Sequence, residues 1–414
     1  METHISKSIT PSVALQEAEA ILRRCVHCGF CTATCPTYQL LGNELDGPRG
    51  RIYLIKQILE TGQAGKDART HLDRCLGCRS CETTCPSGVH YLRLLHVGRH
   101  LAYELAPLPF AQRSLRHILR ATLPYPRRLA PMFRAARLFR PLLPLALRHK
   151  IPDADNKAQQ ALQPQNCHRK IILFQGCVQS VVATSINAAT RRILQRLGIQ
   201  SLDATGESCC GAVNHHLDDI ETARNMAQNN IDRWLTLIDE GAEALVVTAS
   251  ACALEIKEYP LLFPENSKYH DKSLRLQPYC MEIGEFLAKQ DISALRVPED
   301  APTISFHSPC TLQHGLKGQG HTEALLRETG FDVREPEDAH LCCGSAGTYS
   351  ITQPKLSGTL RENKLLQLEK AGGEVIATAN IGCLLHLQEK AERPVRHWIE
   401  WLDEALETGN TPVQ

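Results

Sequence analysis

The sequence contains no run of about 18 apolar residues, the length needed to span a bilayer, so it predicts no transmembrane helix. Residues 1–24 also lack the apolar stretch of a secretory signal peptide and carry charges along their length. We therefore expect a cytosolic chain, or one held peripherally at the cytosolic face of the inner membrane. The formal net charge of +1 argues against attraction of the whole chain to nucleic acid, so any basic surface for a partner must be local.

Motifs for organic cofactors are also missing. No G-x-G-x-x-G motif follows a predicted strand, and the nearest string, Gly318-Gln319-Gly320, lacks the third glycine. There is no phosphate-binding loop, no C-x-x-C-H motif for haem attachment, and no evident Ser–His or paired-carboxylate arrangement. We therefore expect no flavin or nicotinamide on this chain, and a partner protein that carries out the organic chemistry.

Cysteine, by contrast, is abundant, with 18 residues. Cysteines in such numbers form disulfides in oxidising compartments, whereas they bind metals or take part in redox chemistry in reducing ones. Because no secretory signal is expected, the sequence favours metal or redox chemistry.

Eight of the cysteines form two runs with the same spacing, C-x2-C-x2-C-x3-C-P. This spacing is typical of ferredoxins with two [4Fe–4S] clusters, in which the fourth cysteine of each run binds the other cluster. We therefore assign the first cluster to Cys25, Cys28, Cys31 and Cys85, and the second cluster to Cys75, Cys78, Cys81 and Cys35. Structural zinc is the alternative, but a regular fourth cysteine followed by proline is not typical of zinc sites.

Full cysteine ligation predicts electron transfer and not a reaction site, because no iron is left open to a substrate. Gly29 and Gly77 lie inside the two runs, where the lack of a side chain lets backbone amides approach the cluster sulfurs. Between the runs, Pro48 and Gly62 predict the two ends of a helix. A second helix is predicted over residues 12–24.

Residues 105–152 contain no acidic residue but ten lysines or arginines, interleaved with apolar residues. The segment is expected to consist of short helical pieces separated at its prolines, Pro124, Pro126, Pro131, Pro141 and Pro144. Two interpretations remain open. The segment is either a linker or rim that docks on its own protein, or a surface for anionic lipid or an acidic partner subunit.

The C-terminal region is an internal duplication in which four cysteines recur. Cys177, Cys209, Cys210 and Cys252 are followed by Cys310, Cys342, Cys343 and Cys383, at an offset of 133 residues for three pairs and 131 for the last. In each half, apolar segments precede the outer two cysteines, and a long helix is predicted after the Cys-Cys-Gly pair, at about 218–240 and 354–371. This alternation predicts parallel strands and an α/β fold in each half.

In each half the four cysteines are expected to meet above the carboxyl edge of the sheet, where ligands collect in such folds. They are candidates for a further cluster or metal, more so in the second half than in the first, and buried structural cysteines are the alternative. His386 is either a fifth ligand or a polar core residue, and His307 and His314 are interpreted as ordinary core or surface histidines. Cys167 and Cys280 lie outside the repeats and are interpreted as plain thiols.

These observations predict an α+β protein with four parts. A mainly helical ferredoxin-type domain is expected over residues 1–104 and a basic, proline-rich helical linker over 105–167. The first and second Cys-Cys-Gly repeats are expected over 168–295 and 296–414.

The combination of motifs resembles the iron–sulfur subunits of glycolate oxidase, anaerobic glycerol-3-phosphate dehydrogenase and heterodisulfide reductase. It is most similar to the glycolate oxidase family, on residues 25–38, 45–56, 310–314, 341–349 and 378–383. The resemblance covers nearly the whole chain, and residues 105–165 carry nothing diagnostic. In the heterodisulfide reductase relatives each repeat ends in C-x-x-C and binds an unusual cluster through five cysteines, whereas this chain has Glu255 and His386 at the last position.

The resemblance implies a complex in which flavoprotein subunits oxidise glycolate to glyoxylate, while this subunit passes the electrons toward a membrane acceptor such as a quinone. The alternative is an electron-transfer subunit, or one that reduces a disulfide or quinone at its paired cysteines, in a related complex of the glycerol-3-phosphate, lactate or heterodisulfide type. A third hypothesis is a scaffold or sensor in which the clusters are structural.

Overall fold

The computed structural model of the chain describes residues 1–140 and 167–408. The chain divides into two compact units. The smaller unit consists of Met1–His117 and His340–Lys364, and the larger one of Ile118–Ala339 and Leu365–Gln414. The domain boundaries expected after residues 104, 167 and 295 remain predictions.

Helices dominate both units. In chain order they are α1 Val13–Arg24, α2 Phe30–Ala33, α3 Pro36–Leu41, α4 Pro48–Thr61, α5 Lys66–Asp73, α6 Ser80–Thr84, α7 Tyr91–Leu105, α8 Phe110–Thr122, α9 Pro126–Leu138, α10 Gln179–Val182, α11 Thr184–Arg196, α12 Ala212–His216, α13 Ile220–Asp239, α14 Ser250–Lys257, α15 Lys268–Leu276, α16 Ile283–Leu287, α17 His321–Thr329, α18 Tyr349–Thr352, α19 Pro354–Lys370, α20 Ile381–Gln388 and α21 Trp398–Thr408.

The strands form two four-stranded sheets in the larger unit. They are β1 Arg169–Phe174, β2 Ile199–Leu202, β3 Leu245–Val247, β4 Cys280–Glu282, β5 Ile304–His307, β6 Val333–Arg334, β7 Val375–Thr378 and β8 Val395–His397. The strand orders, β2-β1-β3-β4 and β6-β5-β7-β8, are the same, and all pairs are parallel. The expected duplication and parallel α/β fold are therefore confirmed.

The two sheets share one hydrophobic core in the larger unit. Ile171 and Val246 of the first sheet belong to the same buried cluster as Ile304 and Phe306 of the second. The sheets are also joined by a hydrogen bond that the backbone N–H of Ser250 donates to the carbonyl oxygen of Ala379, 3.1 Å away. The two sheets thus pack together around one core, and the cysteines lie mostly in the segments that follow the strands.

The smaller unit is built on helices α1, α4 and α7. Helix α4 begins at Pro48 and ends at Gly62, which adopts a left-handed conformation as the predicted cap. The four apolar residues that fall on one face of this helix are all buried: Ile52, Ile55, Ile58 and Leu59. Gly50 lets α4 approach the turn before it, because a Cβ atom there would lie 2.2 Å from the carbonyl oxygen of Glu44. The short helical turn Glu44–Asp46 is thereby held against α4.

The described part of the basic segment forms α8 and α9. The helical pieces expected there are present, but α9 continues through Pro131, so the expected break at this residue is wrong. Proline removes the hydrogen bond to the residue four positions earlier, Arg127, and this exposed residue can turn its carbonyl group to water. Pro141 and Pro144 lie outside the described residues. No helix in the described ranges is long and apolar enough to cross a membrane.

Candidate metal centres

The first cysteine run folds around a tight loop between α1 and α3. Cys25 caps the end of α1, and Cys35 lies directly before Pro36, which begins α3. Between them, His27 and Gly29 both have positive φ, which curls the backbone back on itself. A two-residue spacing combined with this curl brings the cysteine side chains to the same side of the loop.

The second run repeats this backbone plan. Cys75 follows α5, Gly77 and Arg79 have positive φ, and Cys85 caps the end of the short helix α6. The amide of Gly77 donates to Cys75 Sγ over 3.4 Å, as expected for a glycine that lets the backbone approach a sulfur. The equal spacing in the sequence therefore corresponds to equal local structure.

Two cavities lie over these loops, and their walls carry the cysteines in two sets. The first cavity, with about 440 Å³ of empty space, is lined by Cys25, Cys28, Cys31 and Cys85, and it also touches Cys81. The second, with about 350 Å³, is lined by Cys35, Cys75, Cys78 and Cys81. Each cavity thus contains three cysteines of one run and the fourth of the other. Four thiols around one open space are the donor set that a cubane cluster requires, so the residues fit this group.

The two runs are held together by hydroxyl groups between them. Thr34 Oγ1 donates to the carbonyl oxygen of Ser80, 3.3 Å away, and lies 3.1 Å from Thr84 Oγ1. These contacts place α2 beside α6, so that the fourth cysteine of each run comes to the loop of the other.

The thiols of this region are buried to different degrees, and burial changes their acidity. Desolvation raises the pKa of Cys31 to about 11 and raises the pKa of the fully buried Cys81 well above its usual range. Cys28 is exposed. Thiols with raised pKa values are protonated at neutral pH, so metal binding at these cavities must release protons.

In the first Cys-Cys-Gly repeat the structure brings all four candidate cysteines together. Cys177 follows β1, the Cys209-Cys210 pair lies in the loop after β2, and Cys252 lies in the first turn of α14, after β3. The Sγ atoms of Cys177 and Cys209 are 3.1 Å apart. Side-chain hydrogen bonds link Cys209 to Cys210 and Cys210 to Cys252. The four thiols therefore form a continuous chain at the carboxyl edge of the sheet.

These hydrogen bonds and burial change the pKa values of thiols in this group. The hydrogen bond with Cys177 and burial raise the pKa of Cys209 well above its usual range, and a hydrogen bond with Cys210 does the same for Cys252. Tyr259 donates its hydroxyl hydrogen to the carbonyl oxygen of Cys210, 3.0 Å away, and thereby fixes the pair. Glu255 is buried and contacts His215 Nδ1 at 2.9 Å.

The cysteines of the second repeat belong to different units. Cys342 and Cys343 lie in the smaller unit and are both buried, and the amide of Gly344 donates to Cys342 Sγ over 3.4 Å. Cys310 and Cys383 lie in the larger unit. There a ring nitrogen of His307 and the Sγ atom of Cys383 lie within 4.8 Å of one another.

The remaining candidates have ordinary surroundings. His314 and His386 are buried, and Cys167 is partly exposed. Cys280 is buried in β4 with its thiol facing the carbonyl oxygen of Ala253 at 3.9 Å. The proximity of His307 to a cysteine was not expected from the sequence, which places them 76 positions apart. One indication was available in the sequence: His307 ends one strand, and Cys383 follows another strand of the same sheet.

Comparison with known proteins agrees with this arrangement. The 4Fe-4S dicluster domain family matches residues 21–89, and the cysteine-rich domain family matches residues 171–257 and 304–388. The glycolate oxidase iron-sulfur subunit of Escherichia coli (strain K12) is 45% identical over 98% of this chain and 100% of its own length. This chain belongs to the glycolate oxidase iron–sulfur subunit family. The resemblance inferred from the motifs is thus confirmed, and with it the role of an iron–sulfur component of an oxidoreductase.

Other relatives of the glycolate oxidase iron–sulfur subunit family are more distant. A probable glycolate oxidase iron-sulfur subunit of Bacillus subtilis (strain 168) is 26% identical over 91% of this chain and 90% of its own length. Lactate utilization protein A of the same organism is 26% identical over 53% of this chain and 90% of its own length. Among solved structures, a hypothetical protein from Helicobacter pylori aligns with a TM-score of 0.55 over 96% of this chain and 73% of that chain, at 11% identity. This last likeness concerns the fold alone.

Proposed function

We propose that this chain is the electron-transfer subunit of a multi-subunit complex that oxidises glycolate to glyoxylate. Flavoprotein subunits of the same complex are the proposed electron donors, and a quinone-type membrane acceptor is the proposed destination. The observation that carries the proposal is the pair of adjacent cavities, each lined by three cysteines of one run and the fourth of the other, in a chain of this family. The clusters proposed to bind there supply one-electron redox chemistry.

The proposed ligand sets are crossed between the two runs. Cys85 lines the first cavity together with the first three cysteines of the first run, and Cys35 lines the second cavity together with those of the second run. All four positions around each cavity are cysteines, so the chain itself offers no open coordination position for a substrate. Its residues therefore hold and insulate the redox groups and leave glycolate chemistry to the partner.

The purified chain alone is expected not to oxidise glycolate, because its proposed redox sites have no open coordination position for an organic substrate. Adding the flavoprotein subunits is expected to restore glycolate-dependent reduction of a quinone analogue, measured by absorbance under anaerobic conditions. The matched control is the flavoprotein subunits without this chain, which should not pass electrons to the quinone analogue at the rate of the full complex.

Two results would contradict this proposal. Glycolate oxidation by the lone chain would place the reaction site here. Reduction of a disulfide by the lone chain would favour the alternative function, which the 3.1 Å contact between Cys177 and Cys209 supports.

We further propose that the Cys-Cys-Gly repeats bind an additional metal or cluster. In the first repeat, four thiols that form a chain of neighbouring contacts are a donor set that suits a soft metal or an iron–sulfur cluster. For the second repeat the proposed ligands within the larger unit are Cys310 and Cys383. The position of His307, which has a ring nitrogen within 4.8 Å of Cys383 Sγ, supports a site there, since imidazole and thiolate bind similar metals.

The basic segment is proposed to make a peripheral contact with the cytosolic face of the inner membrane. Several of its arginines are engaged within the protein: Arg116 pairs with Asp73 at 3.0 Å, Arg120 lies 3.9 Å from Asp219, and Arg128 donates to the carbonyl oxygen of Ala121 over 2.8 Å. Helix α9 also exposes Arg127, Arg128 and Arg134 together with apolar residues, among them Met132 and Leu138. Exposed basic and apolar residues on one short helix favour binding to anionic lipid. The proposal keeps both interpretations, because α9 buries Leu129 and packs Phe133 against the core of the larger unit while these basic residues stay exposed.

Replacing Arg127, Arg128 and Arg134 together with glutamine is expected to weaken binding to vesicles that contain anionic lipid by about a hundredfold, at about 1 kcal/mol for each basic residue. Vesicle sedimentation at low salt measures the effect. A variant with Lys289, Arg327 and Arg334 changed to glutamine loses the same charge from other surfaces of the larger unit and serves as the control. Equal binding of the unaltered chain to neutral vesicles would contradict the electrostatic contact.

A further inference from the structure

Arg51 is the most deeply buried charged residue in the wall of the second cavity, with an exposure of 1%. It lies in α4, one position after the glycine that brings this helix against the preceding turn. Burying an arginine is costly unless its charge and its N–H groups are compensated. The contacts of this guanidinium group therefore show what it is placed to do.

Two sides of the guanidinium group are used within the protein. Arg51 Nε donates to the carbonyl oxygen of His71 over 2.8 Å, and Nη1 donates to Thr37 Oγ1 over 3.1 Å. Nη2 donates no hydrogen bond among the described residues and lies 3.6 Å from Asp46, a long ion pair. The group is thus fixed by hydrogen bonds on two sides, while its third nitrogen retains N–H groups without an acceptor.

The charge of Arg51 is not neutralised by Asp46. This buried carboxylate also contacts Arg74 at 3.1 Å and His71 Nδ1 at 2.9 Å. Two arginines therefore share one carboxylate, which leaves a net positive charge in this group even with His71 neutral. The excess charge lies beside the second set of cysteines.

The cysteines of the second cavity are close enough to sense this charge. Burial alone would lower the pKa of Arg51, but the neighbouring Cys75, Tyr91 and Cys35 raise it above its usual range. Tyr91, itself buried, directs its hydroxyl group at Cys75 Sγ from 3.7 Å, and Thr37 Oγ1 lies 3.3 Å from Cys35 Sγ. The guanidinium group is therefore embedded among the proposed ligands.

The first cavity has a different neighbour. Arg49, two positions earlier on the same helix, lines it, but its side chain is 39% exposed and forms an ion pair with Glu44 at 2.6 Å. Water and the carboxylate screen this charge. Helix α4 thus presents a solvent-exposed, paired arginine to one cavity and a buried arginine, which shares its carboxylate with Arg74, to the other.

We propose that Arg51 raises the reduction potential of the second cluster by directing a buried positive charge and a free Nη2–H group toward it. Reduction adds one electron, and therefore negative charge, to a group that is already anionic with four thiolate ligands. A fixed cation with a hydrogen-bond donor stabilises this reduced state more than the oxidised one. Arginine suits the role because it remains charged when buried. This inference rests on the proposed binding of a cluster by Cys35, Cys75, Cys78 and Cys81.

The test is an EPR-monitored redox titration of the full chain, purified anaerobically. Arg51→Gln is expected to lower the midpoint potential of the second cluster by at least 59 mV, which is a tenfold change for a one-electron couple. Arg51→Lys keeps the charge and is expected to shift it less. Arg49→Gln, the matched control on the same helix, should leave this potential unchanged. Signals are assigned with Cys28→Ala and Cys78→Ala, each of which should lose one cluster.

A second variant keeps the inference open to refutation if Arg51→Gln fails to retain the cluster. Asp46→Asn removes the opposing charge and is expected to raise the same potential. An unmoved or lowered potential in Asp46→Asn, or an unmoved second potential in an Arg51→Gln protein with full iron content, would overturn the inference. Iron content below two clusters in the unaltered chain would instead contradict the proposed function.

Discussion

Replacing Cys85 with serine is expected to abolish the cluster of the first cysteine run, although Cys85 belongs to the second. In the structure this side chain lines the cavity formed by Cys25, Cys28 and Cys31. Loss of one of four thiolates leaves one iron without its ligand. A serine hydroxyl is a poor replacement for a thiolate as the ligand of a soft metal. Iron analysis should therefore show a loss of about four atoms per chain, with the EPR signal of the second cluster retained.

The design includes the reciprocal variant and a control. Cys35→Ser should remove the second cluster and leave the first, since Cys35 lines the second cavity. Cys167→Ser lies outside both runs and both repeats and should change neither. If Cys85→Ser instead lost the cluster of its own run, with the first signal intact, the crossed assignment would be refuted.

The unaltered chain is expected to contain metal beyond the roughly eight irons of two cubane clusters. The reason is the first Cys-Cys-Gly repeat, where four free thiols form a chain in which each lies beside the next. Raised pKa values keep Cys209 and Cys210 protonated in the absence of metal. A metal in this place would replace those protons and fix the four side chains at once. Cys210→Ser is therefore expected to remove the extra metal and to leave both EPR signals of the ferredoxin-type region.

Metal analysis by mass spectrometry checks this expectation, with zinc measured beside iron. Cys280→Ser is the matched control, because Cys280 is as buried as Cys210. It lies in β4 of the first sheet and is not one of the four neighbouring thiols. An iron content of about eight with no other metal would contradict the proposal. The four thiols would then be structural, the alternative that the sequence left open.

The local structure of the ferredoxin-type runs was predictable because spacing determines it. Gly29 and Gly77 permit the positive φ that the two loops require, and the prolines after the runs restrict the backbone where the next segment begins. The repeats were predictable for a different reason: equal offsets between cysteines imply equal topology, and apolar segments before Cys177 and Cys310 imply buried parallel strands. In both cases a short-range pattern was sufficient.

The surroundings of Arg51 could not be predicted, because they depend on contacts between distant elements. Its partners come from three places, at Thr37, Asp46 and His71, and nothing in an amphipathic pattern marks a buried cation on a helix. The segment that contains Arg51 contributes to the resemblance to the family, but its sequence pattern predicts only the start of a helix. Similarly, proline on average disfavours helix interiors, yet α9 continues through Pro131, which lies at an exposed position.

The return of the chain to its first unit affects how the protein matures in the cell. The smaller unit contains His340–Lys364, and Tyr349 from this segment donates its hydroxyl hydrogen to the carbonyl oxygen of Arg74, 3.0 Å away. During synthesis, both cysteine runs leave the ribosome long before this segment exists. The unit that holds them therefore stays incomplete until most of the larger unit has been translated, so completion of the iron-binding region is tied to the synthesis of the repeats.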